Sequence, residues 1–122
     1  MTKKLIAMAS PILPGKMEQW KKFSNDLKTR YSKEYNESRA SVGIQERAFL
    51  QSTPTGDLVI VTMEGVNPEE GFKKLNQKND QFTKWFNTQV KEIHGLDLTK
   101  DTTLKLPELV VETKAVEEHV HA

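Results

Sequence analysis

Glu46 and Arg47 are neighbours in the segment Ile44-Gln45-Glu46-Arg47-Ala48-Phe49. In extended chain, adjacent side chains point to opposite faces. One of the pair therefore enters a pocket or core beneath the helices, and the other faces the opposite side. A charge in either space needs a counter-ion or a ligand. The pair reads either as part of a structural ion pair at a dimer interface or as acid/base and ligand-orienting groups. His94 ends an apolar-striped segment just before Gly95. Protonated, it suits the negative end of a helix. Neutral, it can be a general base or a heme ligand. Glu46 and His94 are thus the catalytic candidates.

Four other side chains join Arg47 as candidates for ligand binding. Asn79 falls near the middle of an apolar stripe, where a polar group is costly unless paired. Trp20 and Tyr31 belong to an aromatic stripe whose ordinary role is packing, and either can also line a cavity. Trp85 lies about 100° from the centre of its stripe, which suits a pocket rim or an interface. His119 and His121 form an H-x-H pair, but no third ligand lies near them in sequence, so no metal site is expected. The chain has no cysteine, which removes disulfides, thiol catalysis and thiolate metal sites. No phosphate-binding loop, dinucleotide fingerprint, nucleophile elbow or H-E-x-x-H motif occurs.

The elements that must position these residues follow from periodicity and punctuation. Residues 4–12 predict a strand closed by Pro11, Pro14 and Gly15. Residues 16–37 predict one long helix, with Met17, Trp20, Phe23, Leu27, Tyr31 and Tyr35 on one face. Glu18/Lys22 and Asp26/Arg30 are expected as ion pairs on the other side. Residues 44–51 and 57–64 predict antiparallel strands joined by a turn-rich connector. Asn67-Pro68-Glu69-Glu70 has the residues of a helix start: a capping side chain, proline in the first turn and an acid behind it. Phe72, Leu75, Phe82, Phe86, Val90 and Ile93 form the following stripe. A break is expected near Asn76–Asp80, with Asn79 or Asp80 capping a second segment over 80–94 and Gly95 ending it. Residues 99–107 predict a loop, 108–114 a last strand, and 115–122 a flexible tail. The order β-α-β-β-α-β is the ferredoxin-like motif, an α+β class with a four-stranded antiparallel sheet and both helices on one face.

With 122 residues the chain is one domain's worth, yet only 36% of it is apolar. The apolar residues concentrate in the strands. Leu5, Ala7 and Ala9 oppose Ile6 and Met8, and Leu58 and Ile60 oppose Val59, Val61 and Met63. Helices on one side cover only one of these faces. A homodimer with its two sheets face to face covers the second.

The stretch Glu46-Arg47-Ala48-Phe49-Leu50-Gln51, the turn Thr53-Pro54-Thr55-Gly56-Asp57, and Phe82-Thr83-Lys84-Trp85-Phe86 through Val90-Lys91-Glu92-Ile93-His94-Gly95 carry a resemblance. Together with the two-sided strands, they make residues 4–114 resemble the dimeric α+β barrel superfamily. That group holds the antibiotic-biosynthesis and heme-degrading monooxygenases, the EthD-like proteins and the stress-responsive barrel proteins. The resemblance implies a dimeric barrel with a pocket in each subunit between helices and sheet. It also implies a small organic ligand and the chemistry of a cofactor-free monooxygenase. No cofactor is expected, with heme as the alternative that the heme-degrading relatives suggest. The other functional class is a non-catalytic regulatory or interaction module on the same frame. An RNA-binding version is disfavoured because residues 57–64 carry no stacking aromatic.

Charge is balanced, 18 Lys+Arg against 17 Asp+Glu, so neither nucleic acid nor an anionic membrane surface is an expected partner. The apolar run Leu5–Ala9 after Lys3-Lys4 is five residues, short of the roughly 7–15 of a signal-peptide core. A cytoplasmic protein is the expectation.

Overall fold

The computed structural model describes residues 2–103 and 106–116. Three strands, β1 (Lys4–Pro11), β2 (Ile44–Thr53) and β3 (Gly56–Gly65), form an antiparallel sheet in the order β1-β3-β2. The most β-prone strand, with Val59-Ile60-Val61, is the central one. Four helices complete the α+β fold: α1 (Met17–Lys28), α2 (Ser32–Ser41), α3 (Pro68–Gln77) and α4 (Gln81–His94). Leu98–Thr103 add a kinked 3-10 segment.

The sheet register separates two faces. Ile6 pairs with Met63, Met8 with Val61, and Glu46 with Met63, so these side chains share the helix-covered face. There Ile44 and Met63 join Phe23, Phe72, Leu75, Val90, Ile93 and Leu98 in the core. The other face carries Leu5, Ala9, Leu58, Ile60, Arg47 and Phe49. The helices leave it open, with Leu5 60% and Phe49 53% exposed. Apolar residues on both faces of the strands thus produce one buried and one uncovered surface.

Local chemistry explains the helix ends. Asn67 caps α3 by accepting the Glu70 amide at 3.2 Å, with Pro68 in the first turn. Asp80 caps α4, taking the Thr83 amide at 2.9 Å and the Thr83 hydroxyl at 3.1 Å. Those hydrogen bonds hold the Asp80 carboxyl below its ordinary pKa. Gly95 ends α4 in the left-handed region at φ 72°. Gly71 on α3 is needed for close approach. A Cβ there would lie 2.8 Å from the Ile44 side chain and 3.0 Å from the Val42 carbonyl.

Three expectations are corrected. The single helix over 16–37 is two helices, α1 and α2. The Thr29 hydroxyl bonds back to the Asn25 carbonyl at 2.8 Å, and the Asp26 carbonyl accepts the amides of both Thr29 and Tyr31. This local bonding competes with continued helix and turns the chain. The expected pairs Glu18/Lys22 and Asp26/Arg30 give way to Glu18–Lys21 and Lys22–Asp26, the latter at 3.0 Å. The fourth strand does not form. Among the described residues, 108–114 have no ladder partner, and Leu109, Val110 and Val111 are exposed. The observed sheet is three-stranded because neither free edge of the same chain takes up this segment. His119 and His121 lie outside the described residues, as does most of the 115–122 tail. No helix among the described residues is long and apolar enough to cross a membrane.

Candidate functional site

The break between α1 and α2 matters because it swings α2 over β2. Tyr35 and Arg39, four residues apart, then share the face that meets Glu46. The Arg39 Nε donates to one Glu46 carboxylate oxygen at 2.9 Å, and the Tyr35 hydroxyl donates to the other at 2.6 Å. Arg39 also donates to the Ser38 hydroxyl at 3.0 Å. Its guanidinium lies over the Tyr35 ring at 4.8 Å and the Phe86 ring at 4.5 Å. Burial, followed by the Glu46 charge, pushes the Tyr35 phenol far above its ordinary value, so it stays protonated and donates. Glu46 is therefore a doubly engaged carboxylate beneath a helix.

This network forms one end of a cavity bounded by the sheet, α3 and α4. Its walls include Met8, Val61, Phe72, Leu75 and Val90, and its polar groups include Arg39, Glu46, Asn76, Asn87 and His94. About 70 Å³ is open to the centre of a water-sized sphere, and about 620 Å³ is empty when the mouth is included. The inner part has room for a few waters, and a ring-sized molecule would reach into the open mouth. Among the described residues, the Asn76 Nδ2 is buried without a hydrogen-bond partner. An orphan amide donor costs about 1–3 kcal/mol unless something accepts from it.

At the opposite end, the His94 Nδ1 lies 2.7 Å from the Pro11 carbonyl oxygen. A carbonyl only accepts, so the neutral ring carries its proton on Nδ1 and leaves the Nε2 lone pair free. Burial lowers the His94 pKa, and the Pro11 contact offsets part of that. A neutral imidazole of this tautomer can accept a hydrogen bond or a proton. It holds that state because β1 ends at the C-terminus of α4, where the Leu13 amide also bonds to the Ile93 carbonyl at 2.9 Å.

Of the sequence-derived candidates, Glu46 and His94 line this cavity, and the others do not. Arg47 lies on the open face, 3.3 Å from Glu64 and 3.0 Å from the Gln45 side-chain oxygen. Asn79 is exposed in the short link between α3 and α4, because the helix stops before it. Trp20 packs partly buried against the core. Tyr31 and Trp85 pack in a tilted arrangement with centroids 4.2 Å apart, and Trp85 meets Phe23 at 5.4 Å. These aromatics fasten α1 and the link after it to α4.

The polar cavity groups that the sequence does not single out include Arg39, Asn76 and Asn87, and Tyr35, which holds Glu46 without lining the cavity, enters the sequence reading only through the apolar stripe. Two of them had a signal. Arg39 continues the 31, 35 spacing of that stripe with a charge. Asn76 follows Phe72 by four residues and Leu75 by one, on the inward side of α3. Asn87 had no distinguishing mark.

Glu46 and Arg39 occupy the far end of the cavity already paired with each other. Among the described residues, no cluster of three His, Cys, Asp or Glu side chains has metal-binding geometry. Comparison of the chain with known protein families, with curated proteins and with solved structures gives no match.

Proposed function

We propose that the protein is a homodimer of the dimeric α+β barrel type that binds a small, mostly apolar organic molecule carrying one acceptor oxygen. The observation that supports this is the orphan Asn76 Nδ2 beside the apolar wall of Phe72, Leu75 and Val90 in the cavity. A carbonyl oxygen there satisfies the donor, while the ring or chain replaces water against Phe72, Leu75 and Val90. Glu46 and Arg39 neutralise each other, so they shape the far wall rather than supply acid or base. Any transformation of the bound molecule in the manner of a cofactor-free oxygenase falls to the His94 Nε2 as proton acceptor. The uncovered apolar face with Leu5 and Phe49 supports the dimer.

Acetophenone and ethylbenzene are paired probes of similar size, the ketone carrying the acceptor oxygen that the hydrocarbon lacks. Ligand bound only to the native state raises the melting temperature, by about 2.7 kcal/mol of stability at 100 times Kd. Acetophenone is expected to raise it more than ethylbenzene. In Asn76→Leu, the preference should vanish or reverse. If neither compound shifts the melt at millimolar concentration, the binding proposal fails. Light scattering that gives a monomer mass at micromolar protein would remove the dimer.

A further inference from the structure

The segment Glu108–Lys114 reads Glu-Leu-Val-Val-Glu-Thr-Lys, a run rich in β-branched residues. It is neither helix nor paired strand. Leu109, Val110 and Val111 are 72, 84 and 81% exposed. Three consecutive apolar side chains in water are a liability that a soluble chain normally covers. Leu106 and Pro107, just before the run, sit beside Met8–Pro11 and His94–Leu96. The run therefore leaves the molecule next to the outer edge of β1.

Among the described residues, two strand edges are free in the sheet, β1 and β2. They differ in their protection. β1 starts at Lys4, follows Lys3 and ends at Pro11, and lysine and proline discourage strand addition. β2 presents ten residues, Ile44–Thr53, with no lysine and no proline. In the same chain, β2 lies on the far edge, about 10 Å across two strand spacings from β1. Crossing that face would use about three of the seven residues.

We infer that residues 108–114 of each copy add as a fourth strand to the β2 edge of a second copy. This rests on the dimer proposed above. It makes the exchange reciprocal about a two-fold axis, so that each copy gives one strand and receives one, and the assembly closes. Seven residues reach about 23 Å, long enough to run along most of β2. Addition covers Leu109–Val111 and the open β2 edge together, and it gives the expected four-stranded sheet with its last strand borrowed.

The chain has no cysteine, so introduced thiols report cleanly. Donor copies carry Val110→Cys or Val111→Cys. Acceptor copies carry Gln45→Cys, Arg47→Cys or Phe49→Cys. After mixing and mild oxidation, mass spectrometry should find a donor–acceptor disulfide in at least one combination. The separate variant Val110→Pro removes a ladder donor. It should weaken dimerisation roughly tenfold or more. The melting temperature extrapolated to the monomer should not move, because Val110 touches little in its own chain. A wild-type monomer mass overturns both the dimer and the exchange. A wild-type dimer with no donor–acceptor link in any combination overturns the exchange alone, and links between two Phe49→Cys copies would then identify a face contact without it. A wild-type mass by light scattering that grows beyond two copies with concentration overturns the reciprocal closure.

Discussion

The Arg39–Glu46 pair offers the sharpest test of how the cavity is held. Its side chains are 11% and 6% exposed, with Nε and carboxylate 2.9 Å apart. Glu46→Gln keeps the shape and leaves the Arg39 charge without a counter-ion. Breaking a buried pair from one side costs about 3–5 kcal/mol. At about 4 °C per kcal/mol for a domain of this size, the melting temperature should fall by about 12–20 °C. Total stability for 122 residues is about 6–18 kcal/mol, so the variant is expected to remain folded under mild conditions. Arg39→Met should cost a similar amount, since it strands the carboxylate and removes the cation held over Tyr35 and Phe86. The double variant Arg39→Met/Glu46→Leu removes both charges and fills the space with apolar atoms, which is often near neutral. A urea-denaturation cycle should therefore show strong non-additivity, with the double variant several kcal/mol better than the sum of the singles. If each single variant costs less than about 1 kcal/mol and the double is additive, the pair behaves as a solvated surface contact. The placement of Glu46 as a buried wall of the cavity would then be wrong.

Two further outcomes follow from the helix ends. Asp80→Ala removes the cap that accepts both the Thr83 amide and hydroxyl, and should cost about 1 kcal/mol, or about 4 °C in the melt; Asp80→Asn should recover most of it. The His94 pKa is lowered in the folded state, so between that value and about 6.5 the unfolded chain binds more protons. The stability that neutral His94 contributes is thus present above about pH 6.5 and lost as pH falls through the folded value. Denaturation midpoints of wild type should decline over that window, and those of His94→Gln should decline less; equal slopes would show that His94 is as solvated when folded as when unfolded.

The sequence made local rules legible where one side chain decides the outcome. Asn67 and Asp80 caps, Gly95 and the Glu46/Arg47 alternation each depend on a residue and its nearest neighbours, and each is seen in the structure. The turn after Lys28 was not legible, because no glycine or proline marks it. It depends on the Thr29 hydroxyl choosing the Asn25 carbonyl, a bond that most helical threonines also have available. That one choice decides where Tyr35 and Arg39 point, and hence that Glu46 has its partner within the chain rather than across a dimer. The asparagine in the cavity shows the same dependence. If α3 and α4 ran on as one helix, Asn79 would lie on the inner stripe. Because α3 stops at Gln77, Asn79 faces water and Asn76 faces the cavity.

The missing strand tests the same logic at the level of the assembly. Residues 108–114 have the composition of a strand, and that composition describes what the segment can pair with, not which chain provides the partner. A single copy leaves two things unfinished: an apolar sheet face with Leu5 and Phe49 exposed, and an apolar run at Leu109–Val111. Their areas have different geometries, one a surface and one an edge-seeking strand, so covering the first does not cover the second. A two-fold dimer that only stacks its sheets would leave Leu109–Val111 in water. A dimer that also exchanges the run completes both. In the proposed dimer part of the core comes from a second copy, which accounts for the modest apolar fraction of the chain.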